Sequence, residues 1–201
     1  MNYEDSSGLS FLPCVTHFGD GGGGYPIWTC YANTPEEQTR GMVNGQAILP
    51  YSNNKIGWGS YKRSGCPYIA VYNGMQLLGY PKSLDSITQD IFWNHGTVCF
   101  GAGGVAPWSI ESYFRSQEIA YSSSYSMARL TENISEGSVI IFTVWNDRSS
   151  IASGWHTMAA LYTNGKYLVF NQSNNSKTYE AYQSLGDAFT EGRWIHGIRI
   201  N

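Results

Sequence analysis

The sequence predicts an α+β fold in which helices come first and an antiparallel sheet follows. An apolar stretch of helical length runs from Cys66 to Leu78, and several β-branched and aromatic stretches occupy the last third of the chain. Two of these stretches are joined by Asn164-Gly165, the strongest short signal for a β-hairpin. The chain of 201 residues is long enough for one domain with a real core and too short for two comfortable ones.

Residues 1–50 are expected to form an irregular N-terminal extension, and residues 51–201 a single folded domain. The glycine run at residues 21–24 lacks the strand and helix context of a phosphate-binding loop, so it is interpreted as a surface loop. Thr34 is a suitable N-cap and Pro35 a suitable first helical residue, which predicts a short helix to about Met42. Cys14 and Cys30 flank the glycine-rich loop, and the spacing leaves open whether they form a disulfide.

The helical half of the domain is predicted to begin at Cys66. Pro67 fits a first helical turn and Gly79 fits an exit, so Cys66–Leu78 is expected to be a helix buried on most sides. Ser83 caps a second predicted helix, Leu84–Phe92. Pro107–Phe114 is a third.

The sheet is predicted from four strands: Ser138–Trp145, Trp155–Tyr162, Lys166–Asn171 and Gly197–Ile200. If Asn164 and Gly165 are the two turn residues of the hairpin, Met158 lies opposite Asn171. His156 and Asn171 then share one face of the sheet as diagonal neighbours, roughly 7–8 Å apart at the backbone. An imidazole and a carboxamide can bridge that gap.

These residues together suit nucleophilic catalysis. A free thiol with a pKa of about 8.5 is mostly protonated at neutral pH, and a helix N-terminus or a nearby imidazolium favours the thiolate. An Asn oxygen that accepts from one ring nitrogen presents the other nitrogen to the sulfur. The sequence therefore predicts Cys66 as nucleophile, His156 as base and Asn171 as the residue that orients the base.

Other classes of function are disfavoured by composition. A net charge of −3 without any basic cluster argues against nucleic-acid binding, and no apolar run is long enough to span a membrane. The acidic start Met1–Asp5 is no signal peptide, although the low charged fraction of 13% suggests an exported bacterial protein. No cofactor is expected, and no metal site either, because the cysteines form no C-x-x-C pair and the remaining histidines, His17, His95 and His196, lack ligand spacing. Cys99, in an apolar stretch, is expected to pack in the core.

The segment Ser64-Gly65-Cys66 and the helix that follows it to Gly79 resemble the nucleophile helix of papain-like cysteine peptidases. The likeness is closest to bacterial domains of the bacteriocin-leader-peptidase type, and His156 with Lys166–Asn171 resembles their His strand and the following Asn or Asp strand. The resemblance covers roughly residues 58–190. It implies a papain-like fold with a cleft between a helical half and a sheet half, a thioester acyl-enzyme and a peptide or protein substrate.

One position departs from that family. Papain-like enzymes usually carry a Gln about six residues before the nucleophile as an oxyanion donor, and this chain has Ser60 there. The backbone N–H of Cys66 is one candidate donor to the oxyanion. The candidates for a second donor are Ser60, Tyr61, Lys62 and Asn54, because the nearest upstream Gln, Gln46, is far away in the sequence. An inactive papain-like domain that binds a peptide or glycan, and a cell-wall amidase or acyltransferase, remain alternatives. The substrate and the oligomeric state stay open.

Overall fold

The structure is a computed structural model that describes residues 41–147 and 154–201, together with the backbone of two short strands. These two, β1 (Val15–His17) and β2 (Ile27–Thr29), pair antiparallel. Cys14, Cys30 and the first residues of the helix predicted to begin at Pro35 lie outside the described residues, so those predictions stay as they were.

The described residues contain five α-helices. A two-stranded hairpin, β3 (Lys55–Ile56) and β4 (Gly59–Ser60), leads into them. The helices are α1 (Tyr61–Ser64), α2 (Cys66–Leu77), α3 (Leu84–Asp90), α4 (Pro107–Ser116) and α5 (Met127–Thr131). A π-helical turn, Ile91–His95, continues α3. The three predicted helices from Cys66 onward are confirmed.

A six-stranded antiparallel sheet forms the other half. Its strands are β5 (Ser122–Ser124), β6 (Val139–Trp145), β7 (Trp155–Thr163), β8 (Lys166–Phe170), β9 (Glu180–Tyr182) and β10 (Arg193–Ile200). The spatial order is β5-β10-β6-β7-β8-β9. A 3₁₀ helix, Leu185–Phe189, connects β9 to β10. The protein is thus a mixed α+β molecule with helices packed on an antiparallel sheet, as predicted.

The hairpin between β7 and β8 has the predicted register. Ala159 pairs with Phe170 and Thr163 with Lys166, which leaves Asn164 and Gly165 as the two turn residues. Their φ angles are 51° and 72°, the positive values that a two-residue type I′ turn requires. This register fixes which β7 side chains face the helices.

The two faces of the sheet carry separate cores because side chains alternate along each strand. On one face, Ile141 and Ala159 pack against Val71 and Met75 of α2. Helix α2 sits close to the sheet at Gly74, where a Cβ atom would approach the Cδ1 of Ile141 to 2.7 Å. Every residue of α2 from Cys66 to Gln76 is buried, so the prediction of a helix buried on most sides is confirmed.

The opposite face of the sheet is covered by short elements. Phe142 and Met158 belong to a cluster that includes Leu130 of α5 and the 3₁₀-helix residues Leu185 and Ala188. No long helix packs there in the described part of the chain. This face therefore depends on loops and single turns for its cover.

Cys99 does not pack in the core as expected. It is exposed, and both Cys99 and Phe100 have left-handed φ values, 48° and 47°. The apolar stretch is a tight turn, in which consecutive side chains cannot all point inward.

Among residues 41–147 and 154–201, no helix combines the length and the apolar character needed to cross a bilayer.

Candidate active site

Cys66 is the first residue of α2 and is 5% exposed. Gly65 precedes it, and Pro67 occupies the first turn, where its missing N–H leaves no helical bond unmade. The backbone N–H of Thr157 in β7 lies near enough to the sulfur to lower the pKa of the thiol, and the backbone N–H of Cys66 itself acts in the same direction. Helix α2 and strand β7 therefore come together at this sulfur.

The loop at Gly104 closes over the same helix end. Gly104 has a φ of +77°, and a Cβ there would lie 3.6 Å from Pro67, 3.7 Å from the Ser64 carbonyl and 3.8 Å from the Trp155 indole nitrogen. The start of the helix at Cys66 is consequently confined by this loop.

His156 is the second residue of β7 and is 7% exposed. Its Nε2 lies 2.5 Å from the backbone carbonyl oxygen of Asn171. Because a carbonyl can only accept, Nε2 must carry the proton, and the lone pair of the neutral ring is then on Nδ1. Nδ1 has no hydrogen-bond partner among the residues that the structure describes.

The ring and the sulfur approach one edge of β7 from different faces of the sheet. Alternation along β7 places His156 with Met158 on the face away from α2, and no hydrogen bond joins the ring to the sulfur in the described structure. However, the β8 ladder ends at Phe170 opposite Ala159, so among the described residues no strand pairs with this edge of β7 from Met158 back to Trp155, and we call it the open edge. The sulfur lies near the Thr157 N–H at this edge, and the ring turns toward the same edge to reach Asn171.

Asn171 holds His156 with its backbone and uses its side chain elsewhere. The residue is fully buried with a φ of +55°, a conformation that Asn tolerates better than most residues. Its Nδ2 donates to Gln46 Oε1, and its Oδ1 accepts from the Gln46 backbone N–H, both at 3.3 Å. The Asn171 backbone N–H donates to Asn44 Oδ1 at 2.8 Å.

Gln46 is therefore a site residue that the sequence did not assign. It is 2% exposed, and its Nε2 donates to the Lys62 carbonyl of α1 at 3.2 Å. One side chain thus links the strand end at Asn171 to the short helix that precedes Cys66. No sequence signal could reveal a contact between positions 125 residues apart.

The oxyanion candidates are unequally placed. The Tyr61 hydroxyl is committed to Thr88 at 2.7 Å inside the core, which leaves it unavailable. Ser60 is 9% exposed, and its side chain makes no capping hydrogen bond to α1. The backbone N–H of Cys66 lies at the helix N-terminus, where backbone N–H groups have no intrahelical acceptor.

Burial favours the neutral forms of both Cys66 and His156. It raises the pKa of the Cys66 thiol to about 11, against the opposing effect of the Thr157 N–H. It also lowers the pKa of His156, against the opposing effect of the Asn171 carbonyl. At neutral pH the resting pair is thus a thiol and a neutral imidazole.

No group of three or more His, Cys, Asp or Glu side chains suited to a metal ion occurs in the part of the chain that the structure describes.

No protein-family model matches this sequence, and no curated protein matches it at a significant level.

Proposed function

We propose that the protein is a cysteine hydrolase, most simply a peptidase, with Cys66 as nucleophile and His156 as general base. The observation that carries the proposal is that both groups lie at the open edge of β7: the sulfur at the start of α2 lies near the Thr157 N–H, and the imidazole of the preceding residue donates from Nε2 to the Asn171 carbonyl. The resemblance to papain-like peptidases at the same residues supports it.

The reaction begins from a neutral pair. Nδ1 of His156 takes the thiol proton as the sulfur attacks the substrate carbonyl, and the oxyanion accepts from the Cys66 N–H. The carbon–nitrogen bond then breaks, the imidazolium protonates the leaving amine, and a thioester remains. Water, deprotonated by the same ring, hydrolyses the thioester. Distances between nucleophile and base are commonly longer without substrate than in the Michaelis complex, so closure of the ring onto the sulfur belongs to substrate binding.

The test is cleavage of a peptide mixture, read by mass spectrometry, with peptidoglycan fragments assayed in parallel to separate a peptidase from an amidase. We expect Cys66→Ser and His156→Gln each to lower the rate about a thousandfold. Cys99→Ser, which changes the exposed thiol, serves as the matched control and should retain full activity. Equal cleavage by the wild type and Cys66→Ser would refute the proposal.

A second function is favoured by the burial of the thiol. A cysteine that is 5% exposed with a pKa near 11 also suits a non-catalytic domain that binds a peptide or glycan. Iodoacetamide labelling at pH 7, measured both without and with a bound peptide, separates an enzyme from a binding domain. In an enzyme, substrate-driven closure of His156 should accelerate Cys66 labelling at low occupancy of the site, and His156→Gln should remove that acceleration. In a binding domain, Cys66 should stay slower than Cys99 under every condition.

A further inference from the structure

A cavity of about 230 Å³ lies beside His156, on the face of the sheet away from α2. Its walls come from the end of β6 at Val144, the start of β7, Gln172 just after β8, and residues 187–192 at and after the 3₁₀ helix. The volume is suited to one amino-acid side chain.

The cavity presents acceptors and negative charge. Asp187 and Glu191 line it, and no Lys or Arg does among the residues that the structure describes. Gln172, a third lining residue, uses its Nε2 to donate to the Tyr182 hydroxyl and the Ala188 carbonyl, which leaves its Oε1 as an acceptor. A lining of this kind complements a ligand that carries positive charge and several donors.

The buried imidazole ties the cavity to the reaction. His156 is 7% exposed and lines the cavity, and its Nδ1 has no partner within the described ranges. In the proposed mechanism this ring delivers its proton to the leaving amine, so the leaving group must lie against the ring. The cavity consequently falls on the leaving-group side of the scissile bond.

We infer that this cavity binds the cationic side chain, Lys or Arg, of the residue that follows the scissile bond. The inference rests on the proposed function for the position of the bond, whereas the charge preference rests on Asp187, Glu191 and Gln172 alone. The new α-amine of the product stays beside His156, and the ammonium or guanidinium group lies between the two carboxylates.

Binding of product-like peptides tests the preference without any need for turnover. The probes are Lys-Ala-Ala amide and its norleucine counterpart, which lacks only the side-chain charge, titrated into the full chain by calorimetry at low salt. We expect the lysine peptide to bind about tenfold more tightly, since each exposed carboxylate contributes modestly, and this advantage should shrink as salt is added.

Variants locate the preference in the cavity. Asp187→Asn together with Glu191→Gln should remove the tenfold advantage. The amide oxygen that Asp187→Asn introduces can still accept from the Ser184 backbone N–H, which the Asp187 carboxylate now caps. Glu191→Gln alone, at an exposed residue, should remove about half of the advantage. Glu132→Gln changes an exposed carboxylate outside the cavity and should leave the advantage intact.

The outcomes separate this inference from the proposed function. Equal binding of the two peptides, or an advantage that survives the double substitution, overturns the inference even if Cys66 proves essential for cleavage. A charge preference that the double substitution abolishes supports the inference, and it does so even if Cys66→Ser shows that no hydrolysis depends on the thiol.

Discussion

The two faces of the sheet differ in how they are covered. The α2 face is packed by a long buried helix against Ile141 and Ala159, with a glycine at the closest approach. The other face is covered by α5 and a single 3₁₀ turn, and it leaves a polar cavity beside His156. Under the proposed function, one face positions the nucleophile, while the other holds the base and receives the ligand.

The largest effect should come from truncating the tightly packed face. Ile141→Ala removes buried methyl groups beside Gly74, where a rigid helix cannot collapse into the space, and should cost about 3–4 kcal/mol of unfolding free energy. Met158→Ala, on the cavity face, should cost about 2 kcal/mol because its neighbours are short elements that can shift. Urea denaturation measures both. If Met158→Ala cost as much as Ile141→Ala, the two faces would be equally rigid, and the cavity face would not be the one that adapts more readily.

A smaller effect is expected at the edge that joins the faces. Asn171→Ala loses the side-chain pair with Gln46 and places Ala at a φ of +55°, so it should cost about 2 kcal/mol. Asn171→Gly keeps the backbone conformation at less strain and isolates the lost hydrogen bonds. Since the backbone carbonyl holds His156, both variants should retain cleavage within about tenfold of the wild type, provided that they fold.

A loss of a thousandfold in Asn171→Gly would instead assign the orientation of His156 to the side chain, as the sequence predicted. A double-mutant cycle with Gln46→Ala measures the pair directly, and a coupling free energy near zero would show that Gln46 does not support Asn171.

The smallest effect is a pH dependence of stability, in which the contributions of His156 and His196 are compared. Burial lowers the pKa of His156 and of His196. As the pH falls below about 6.5, these histidines therefore bind protons in the unfolded chain while they stay neutral in the folded chain. Stability should therefore fall as the pH drops below about 6.5, by about 1 kcal/mol between pH 7 and pH 5 for one such histidine.

The two histidines should contribute unequally to that loss. His196 has the carboxylate of Glu111 at 2.9 Å, which opposes the effect of burial, whereas His156 has only a carbonyl. His156→Gln should then flatten the acid side of the stability curve more than His196→Gln, as measured by thermal unfolding in buffers from pH 5 to 8. The reverse order would mean that the surroundings of His156, on the cavity face, are better solvated than the surroundings of His196.

The sequence by itself determined the local parts of this protein. The helix that opens at Cys66, the four longer strands of the sheet and the register set by Asn164-Gly165 follow from periodicity and turn chemistry, which act over a few residues. The proximity of His156 and Asn171 followed from that register. The short strands β5 and β9 carried too little pattern to be predicted, because their pairing is supplied by neighbouring strands.

Only the tertiary structure decided how the parts meet. The side chain of Asn171 turns to Gln46, the His156 ring lines a cavity on the far face, and Cys99 lies exposed in a left-handed turn. Each of these depends on where β8 ends relative to β7 and on which segment fills the space beyond it. Those are contacts between distant residues whose free energy no local pattern records.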